Sequence, residues 1–325
     1  MRKSIAIVAL AIGLGWAGTA SAQNYPNRPI TMIIPFAAGG PTDVLGRAMG
    51  QKMSEILGQN IIIENVGGAG GMLGASRVAQ AQPDGYTMVL GTVGTHAQNQ
   101  SLYKKPLYHA ANDFTPVALM AELPIVLIAR KDLPAKDLKE FVAYAKQNQG
   151  KMQYGSAGAG SATHLGCVVV NQALGTNITH VPYPGTGPAM TDLIAGRVDF
   201  LCDIITTAKA QVDGGTVKPI ATLSKTRSPA LPNVPTPAEQ GINDMEAYTW
   251  NAFFLPKGAP ADVVKKLNAA TVEAMKAPNV RSKLESMGAV FVSADRSTPD
   301  YLGKFVQSEI EKWAKPIKAA GVAAQ

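Results

Sequence analysis

The sequence predicts an α/β protein built from two domains, and three observations predict it. The chain has 325 residues, which is more than a single hydrophobic core usually organises. From Pro29 onward, short apolar runs alternate with helical patterns, as is typical of parallel sheets with crossover helices. A strand followed by a glycine-rich loop and a helix occurs twice, over residues 31–57 and 152–174. We therefore expect two α/β units whose glycine loops are equivalent.

The N-terminus has the features of a secretory signal peptide, which we place at residues 1–22. Arg2 and Lys3 precede an apolar run from Ile5 to Trp16, and small residues lead to Ala22. The run is shorter than the roughly 18 residues that span a bilayer. We expect cleavage after Ala22. Because the next residue is Gln and not Cys, we expect the mature protein to be free in the periplasm and to carry no lipid.

The remaining chain divides into elements that can be assigned in order from their hydrophobic period. In the first part of the chain, strands are predicted at residues 31–35, 61–64 and 86–91, and helices at 44–57 and 73–81. In the middle part, strands are predicted at 125–129, 152–154, 178–182, 198–202 and 219–223, and helices at 138–147 and 162–174. After the proline-rich stretch 228–237, we predict an apolar segment at 252–256 and helices at 262–276 and 300–320. We expect domain 1 to comprise residues 23–123 and 249–325, and domain 2, residues 124–248, to be inserted between them.

Composition and charge exclude several classes of protein. Hydrophobic residues make up 46% of the chain and charged residues 16%, which suits a folded globular protein. The formal charge is +7, of which Arg2 and Lys3 of the predicted signal peptide contribute two. The other basic residues are scattered and do not alternate with aromatic residues, so we expect no nucleic-acid partner and only a mild attraction for anions.

The chain contains two cysteines, Cys167 and Cys202. An exported protein meets an oxidising compartment, where the two can form a disulfide. Both also lie in apolar stretches and would serve equally as buried thiols. Their spacing leaves both readings open.

The two glycine loops are the candidate binding elements. Each precedes a helix, whose first N–H groups lack intrahelical partners and whose dipole is positive there, so both loops are suited to an anion. Thr42 or Asp43 is expected to cap the first helix, and three hydroxyls in the second loop can donate to a carboxylate. The alternative is that the glycines merely close tight α/β connections. The predicted ligand-binding residues are Phe36, Ala37, Ala38, Gly39, Gly40 and Thr42 in the first loop, and Ser156, Ala157, Gly160, Ser161, Ala162, Thr163 and His164 in the second.

Three further candidates follow strands at their carboxyl ends, where open α/β sheets bind ligands. Thr92 and Thr95 follow the third strand and are expected at the polar end of the pocket. Asp203 follows the strand at 198–202 and is expected either to accept a hydrogen bond from a ligand hydroxyl, ammonium or protonated carboxyl group, or to cap the next helix. For His164, ligand contact and simple packing both remain open.

No pattern for catalysis, metal binding or a cofactor is present. Gly155, Gly158 and Gly160 have the spacing of a dinucleotide loop in reverse order, and Tyr154 stands where the nucleophile elbow of a hydrolase needs glycine. The histidines are His96, His109, His164 and His180, and their spacing fits no metal motif. We therefore expect a protein that is not an enzyme and needs no cofactor or metal.

Several motifs together carry a resemblance to a known family. They are Tyr25–Ile30, Pro35–Asp43, Glu64–Gly71, Pro83–Thr87, Gly155–Leu165, Val181–Tyr183 and Leu231–Thr236. From about Tyr25 to Ala319 the chain resembles the substrate-binding proteins of tripartite tricarboxylate transporters, the Bug or TctC-like group.

The resemblance implies a type II periplasmic binding protein, in which two lobes close over the ligand like a Venus flytrap. It implies that the loops at residues 36–43 and 156–164 hold a carboxylate from opposite lobes through backbone amides and bridging waters. The partners it implies are a small carboxylate and the permease subunits of a tripartite transporter. Cys167 and the Cys202–Asp203 pair lie outside the general pattern of the family, which points to a specialised distal pocket.

We therefore expect a monomeric periplasmic solute-binding protein. Its ligand would be an aliphatic dicarboxylate or tricarboxylate, or an aromatic carboxylate, which it delivers to a tripartite tricarboxylate-type transporter. One alternative is a binding protein for another small solute, such as an amino acid or another anion, used in sensing. A third class is a secreted hydrolase that depends on Ser156.

Overall fold

The computed structural model describes residues 25–319 and residue 321. The predicted signal peptide and its cleavage site lie outside these residues. Within them, no helix combines the length and the apolar character that crossing a membrane requires.

The first lobe begins with parallel βα units. Its elements are β1 (Ile30–Ile34), α1 (Pro41–Leu57), β2 (Ile61–Asn65), α2 (Met72–Ala79) and β3 (Thr87–Thr92). The strands pair in the parallel order β2-β1-β3. The run Ile-Thr-Met-Ile-Ile of β1 is largely buried because it lies between two other strands. A π-helical turn at Gly94–Gln98 and the short helix α3 (Asn99–Leu102) follow β3.

The second lobe is entered through a long strand, β4 (Phe114–Arg130). It then contains α4 (Leu138–Asn148), β5 (Gln153–Ser156), α5 (Ala162–Leu174), β6 (Thr179–Pro182), α6 (Thr186–Ile194), β7 (Phe200–Ile204), α7 (Ile205–Asp213) and β8 (Val217–Thr222). Strands β6, β5 and β7 are parallel, whereas β7 and β8 both pair antiparallel with β4.

The chain returns to the first lobe through β9 (Tyr248–Pro256), which lies between β3 and β4 and is antiparallel to both. Helices α8 (Ala261–Lys276) and α9 (Pro278–Ser286), the short strand β10 (Val290–Phe291) and helix α10 (Pro299–Ala319) complete the fold. Strand β4 pairs with β9 as far as Pro124, and from Ile125 onward with β7. The two lobes therefore share β4, and its central residues belong to a core cluster that contains residues of both.

The structure differs from the sequence prediction in the bounds of some strands and in several elements that are not predicted. The strand predicted at 125–129 is the end of the 17-residue β4. The earlier part of β4 contains Pro116, and its pairing with β9 shifts register twice, after Pro116 and after Leu119. Helices α6, α7 and α9 are not predicted, because α6 has glycine and proline in its first turn, α7 follows β7 without a connecting loop, and α9 is short. Helix α3 and strand β10 are not predicted either, because they span only 4 and 2 residues.

The two cysteines form a disulfide that joins α5 to β7, with their Cα atoms 5.4 Å apart. This resolves the alternative that their spacing leaves open. The disulfide fixes the helix of the second glycine loop to β7, the strand that contains Asp203.

Candidate ligand-binding site

Four helices begin at one cavity between the two lobes. Gly40, Pro41 and Thr42 lie at the start of α1, Ser161, Ala162 and Thr163 at the start of α5, Thr186 at the start of α6, and Ile204 at the start of α7. Phe36, Thr92, Ala157 and Thr249 complete the lining. The empty space among these residues, counted together with the part that is open to solvent, amounts to about 340 Å³. We call it the clamp cavity.

The first glycine loop is held by the buried carboxylate of Asp43. Its Oδ2 accepts the N–H of Gly39 at 3.0 Å and the Nε–H of Arg47 at 2.9 Å, while Oδ1 accepts the amide of Asn65 at 2.9 Å. These hydrogen bonds and the charge of Arg47 outweigh the effect of burial and lower the pKa of Asp43. Gly40, and neither Thr42 nor Asp43, occupies the N-cap of α1, so Thr42 is left to line the cavity.

The second glycine loop is held by hydroxyl groups. Ser161 is the N-cap of α5, where its Oγ accepts the N–H of His164 at 3.2 Å and donates to the carbonyl of Gly158 at 2.7 Å. Thr163 Oγ1 accepts the N–H of Ala157 at 2.9 Å. The amides of Ala162 and Thr163, in the first turn of α5, have no intrahelical acceptor, so they are the donors that this loop offers to a ligand.

Ser156 and His164 support the second loop from behind. Ser156 Oγ lies 2.6 Å from His180 Nε2 and accepts the N–H of Gly158 at 3.0 Å, and the His180 ring stacks on His164 at 4.1 Å. His164 Nδ1 accepts the N–H of Gly160 at 3.2 Å. Burial lowers the pKa of His164 to about 3 and that of His180 to about 4, so both rings are neutral at pH 7. Ser156 is fully buried and outside the cavity lining, so its pairing with His180 positions the loop and does not present a nucleophile.

Thr95 lies beneath Thr92 and positions it through a hydrogen bond. Thr95 Oγ1 accepts the N–H of Thr92 at 2.9 Å and lies 2.8 Å from His96 Nδ1. The His96 ring stacks on Phe254 at 3.9 Å, and burial lowers its pKa to about 3. Thr92 therefore lines the cavity, and Thr95 is fully buried beneath it.

The two lobes touch at the edges of the cavity. The N–H of Ala37 donates to the carbonyl of Pro184 at 3.1 Å, and the hydroxyl of Tyr103 donates to the carbonyl of Ala159 at 2.8 Å. A Cβ on Gly70 would lie 2.1 Å from the Ala159 carbonyl oxygen, so only glycine permits this approach. The conformation is one in which the lobes are closed on each other.

The structure separates the predicted site residues into two groups. Those that line the clamp cavity are Phe36, Gly40, Thr42, Thr92, Ala157, Ser161, Ala162 and Thr163. Those that do not are Ala37, Ala38, Gly39, Thr95, Ser156, Gly160, His164 and Asp203; most of them hold the lining residues or the lobe contact, whereas Gly39 and Asp203 line a second cavity nearby. Asp203 does not cap α7, whose N-cap is Ile204.

Sequence reasoning missed four lining residues: Pro41, Thr186, Ile204 and Thr249. Pro41 is recognisable as the first residue of a helix. Thr186 follows Pro184-Gly185, a turn signal that marks a possible helix start. Ile204 and Thr249 carry no local signal, because strand pairing between distant segments brings them to the cavity.

The cavity can neutralise an anion without a cationic side chain. Of the residues that the structure describes, none with a charged side chain lines it, whereas Thr42, Thr92, Thr163, Thr186 and Thr249 contribute hydroxyl groups. The hydroxyl of Ser161 already donates its hydrogen to the carbonyl of Gly158. Across the same part of the chain, no three His, Cys, Asp or Glu side chains are grouped to hold a metal ion. Helix N-termini and hydroxyls are thus the means by which this site can bind charge.

The fold and this site define a two-lobed α/β periplasmic binding protein of type II, with its ligand cleft between the lobes. Residues 45–322 match the model of the tripartite tricarboxylate transporter family receptor, TctC. The chain belongs to this family, as its sequence motifs predict, and is a periplasmic solute-binding protein. The family consists of receptors that are not enzymes, in agreement with the expectation that the chain catalyses no reaction.

Three solved structures illustrate the similarity. The periplasmic binding protein BugD is 39% identical, with a TM-score of 0.90 over 93% of this chain and 100% of that one. MatC from Rhodopseudomonas palustris, solved with bound malate, is 41% identical, with a TM-score of 0.88 over 90% and 100%. The R. palustris protein Rpa4515, solved with adipate, is 35% identical, with a TM-score of 0.87 over 92% and 99%.

Proposed function

We propose that the protein captures a small carboxylate in the clamp cavity and delivers it to the permease subunits of a tripartite tricarboxylate-type transporter. The observation that carries this proposal is the meeting of four helix N-termini, those of α1, α5, α6 and α7, at one cavity whose lining, within residues 25–319 and 321, includes no charged side chain. Similar proteins with bound malate and adipate support a dicarboxylate as the ligand.

The helix ends supply enough energy for reversible capture. One helix N-terminus stabilises an anion by about 0.3–2 kcal/mol, depending on burial. Four of them at about 1 kcal/mol each contribute about 4 kcal/mol, which corresponds to roughly a thousandfold in affinity. Because no buried cation has to be matched, hydroxyls and bridging waters complete the contacts, and the same clamp serves carboxylates of different length.

The proposed contacts come from both lobes. The amides of Thr42 and Asp43 in α1 face the carboxylate from the first lobe, and those of Ala162 and Thr163 in α5 face it from the second. Phe36, Thr92 and Thr249 form the remaining wall. The supporting residues Ser156, Gly160, His164 and Thr95 act on the ligand only through the residues that they hold.

The lobes are proposed to open for ligand entry and to close over the bound acid. In this proposal residues 23–123 and 249–325 form one domain and residues 124–248 the other, a division supported by the change of partner of β4 at Pro124–Ile125. We also propose that residues 1–22 are removed on export and that the mature protein is a periplasmic monomer.

The test is isothermal titration of ligand-stripped protein with succinate, malate, adipate, citrate, acidic amino acids and benzoate, each beside its amide. Micromolar or tighter binding of an acid, lost for its amide, is the expected result. Thr163→Val should weaken it at least tenfold, because the variant lacks the hydroxyl that holds Ala157. Thr179→Val, at an exposed position of β6, is the matched control. Folded protein that binds none of the acids would overturn the proposal.

A further inference from the structure

A second cavity adjoins the clamp cavity, and its empty space, counted together with the part that is open to solvent, amounts to about 750 Å³. It lies between the start of α1 in the first lobe and helices α6 and α7 in the second, and Met287 after α9 closes one side. Thr186 belongs to the lining of both cavities. We call this space the side chamber.

The side chamber borders two buried polar groups for which the described part of the chain provides no complete set of hydrogen-bond partners. Asp203 is fully buried; its Oδ2 accepts the hydroxyl of Thr207 at 2.6 Å, but its Oδ1 has no hydrogen-bond partner among the described residues. Thr206, which is 1% exposed, likewise has an Oγ1 without a partner among them. Both residues line the chamber.

A buried carboxylate oxygen without a hydrogen-bond partner lowers the stability of the folded protein. Burial disfavours the charged form of the carboxyl group and raises the pKa of Asp203 to about 6. The Thr207 hydroxyl opposes this shift, as do the Ile204 amide and the Thr186 hydroxyl, which lie near the carboxylate but make no hydrogen bond to Oδ1. Native proteins rarely leave such a group unsatisfied unless something else completes it. The group that completes it must be a hydrogen-bond donor.

The other residues that line the chamber indicate what kind of donor could bind there. Of the residues that the structure describes, none with a cationic side chain lines the chamber, and Met190, Ile194 and Met287 supply apolar surface. An unpaired carboxylate oxygen therefore has no cation to meet unless the ligand brings one. An ammonium group would pair with its charge, and a hydroxyl group would satisfy its hydrogen bond.

We propose that the side chamber is the specificity site for the captured acid, and that Asp203, together with Thr206, selects ligands that carry an amino or hydroxyl group in addition to the carboxylate held by the clamp. This assignment rests on the proposed function. It names the class of ligand as amino acids or hydroxy acids, in preference to the same carbon skeletons without a donor. Thr186 lies at the junction that the ligand must pass.

The test compares matched acids by isothermal titration at pH 7.5. One series is succinate, malate and aspartate; the other is butyrate, 4-hydroxybutyrate and 4-aminobutyrate. Within at least one series the wild-type protein should bind an acid with a donor at least tenfold more tightly than the acid without one. Asp203→Asn should reduce that ratio at least tenfold for the amino acid, and Thr206→Val should reduce it more weakly. Asp213→Asn, an exposed change on the same helix α7, should leave it unchanged.

Two results would overturn the inference. If the wild-type protein binds these acids but the ratios within both series stay below threefold, the side chamber does not select the ligand, while carboxylate capture stands. The same conclusion follows if the ratio is large but survives in Asp203→Asn, since the selection then resides elsewhere. If the protein binds no acid at all, the proposed function and this assignment both fail.

Discussion

Replacement of Gly67 by alanine should hinder closure of the lobes without harming either lobe. Gly67 follows β2 in the first lobe, and a Cβ there would lie 2.5 Å from the carbonyl oxygen of Pro184 in the second lobe. It would also lie 3.3 Å from the nitrogen of Ala37, the donor of the hydrogen bond that Pro184 accepts. The backbone of Gly67 is not in the left-handed region, so alanine adds no local strain.

The size of the effect follows from these distances. Ordinary contact begins at 3.4 Å, so the lobes must separate by about 1 Å, which removes the hydrogen bond between Ala37 and Pro184 at a cost of about 1 kcal/mol. Residual crowding adds about 1–2 kcal/mol. The closed form is then disfavoured by about 2–3 kcal/mol, and ligand affinity should fall about 30- to 160-fold. The free energy of unfolding of the ligand-free protein should change by less than about 0.5 kcal/mol.

Titration calorimetry measures the affinity, and small-angle scattering measures the contraction on ligand binding. Gly150→Ala is the matched control, because Gly150 is exposed and a Cβ there meets no atom within 4 Å. The proposed closure of the lobes would be refuted if Gly67→Ala bound the ligand within threefold of wild type and contracted on binding by the same amount within error.

Three further changes test the fold around the site. Removal of the disulfide in Cys167→Ala/Cys202→Ala should lower the free energy of unfolding in urea by about 4 kcal/mol, because the bond closes a loop with a sequence separation of 35; a loss below 1 kcal/mol would contradict this. Because burial raises the pKa of Asp203 from 3.8 to about 6, the contribution of this one carboxyl group to stability should fall as the pH rises from about 4 to 6. The free energy of unfolding of Asp203→Asn should therefore exceed that of wild type by up to about 3 kcal/mol at pH 8 and by little at pH 4. An equal difference at the two pH values would show that the raised pKa of Asp203 is not its cause. Glu309 is 3% exposed and accepts the indole N–H of Trp250 at 2.9 Å, so Glu309→Gln should cost about 2–3 kcal/mol in thermal unfolding, whereas the exposed Glu311→Gln should be neutral; equal stability of the two variants would argue against it.

The parts of the site that could be predicted are those set by local sequence. A strand, a glycine loop and a helix start are consecutive in the chain, so Gly40, Thr42, Ser161 and Thr163 are recognisable as neighbours of a helix N-terminus. The family motifs predict the fold and the receptor function for the same reason, because they contain these loops.

The parts that could not be predicted depend on contacts between distant segments. Ser156 is in the predicted loop, but its hydroxyl is directed to His180, 24 residues away, which no local pattern reveals. Thr249 reaches the cavity because β9 lies between β3 and β4, a position set by pairing across more than 100 residues. The orphan oxygen of Asp203 likewise becomes evident only when α6 and α7 are packed around it.

The most direct test of the central claim is a crystal structure of the protein with the acid that calorimetry finds to bind most tightly. The quantity to measure is the distance from each ligand carboxylate oxygen to the backbone nitrogens at the start of α1 and α5. We expect one carboxylate to lie within about 3 Å of the Ala162 or Thr163 nitrogen, directly or through one ordered water, and to be bridged in the same way to Thr42 or Asp43. A carboxylate that instead pairs with a lysine or arginine side chain, or that lies outside the clamp cavity, would contradict it.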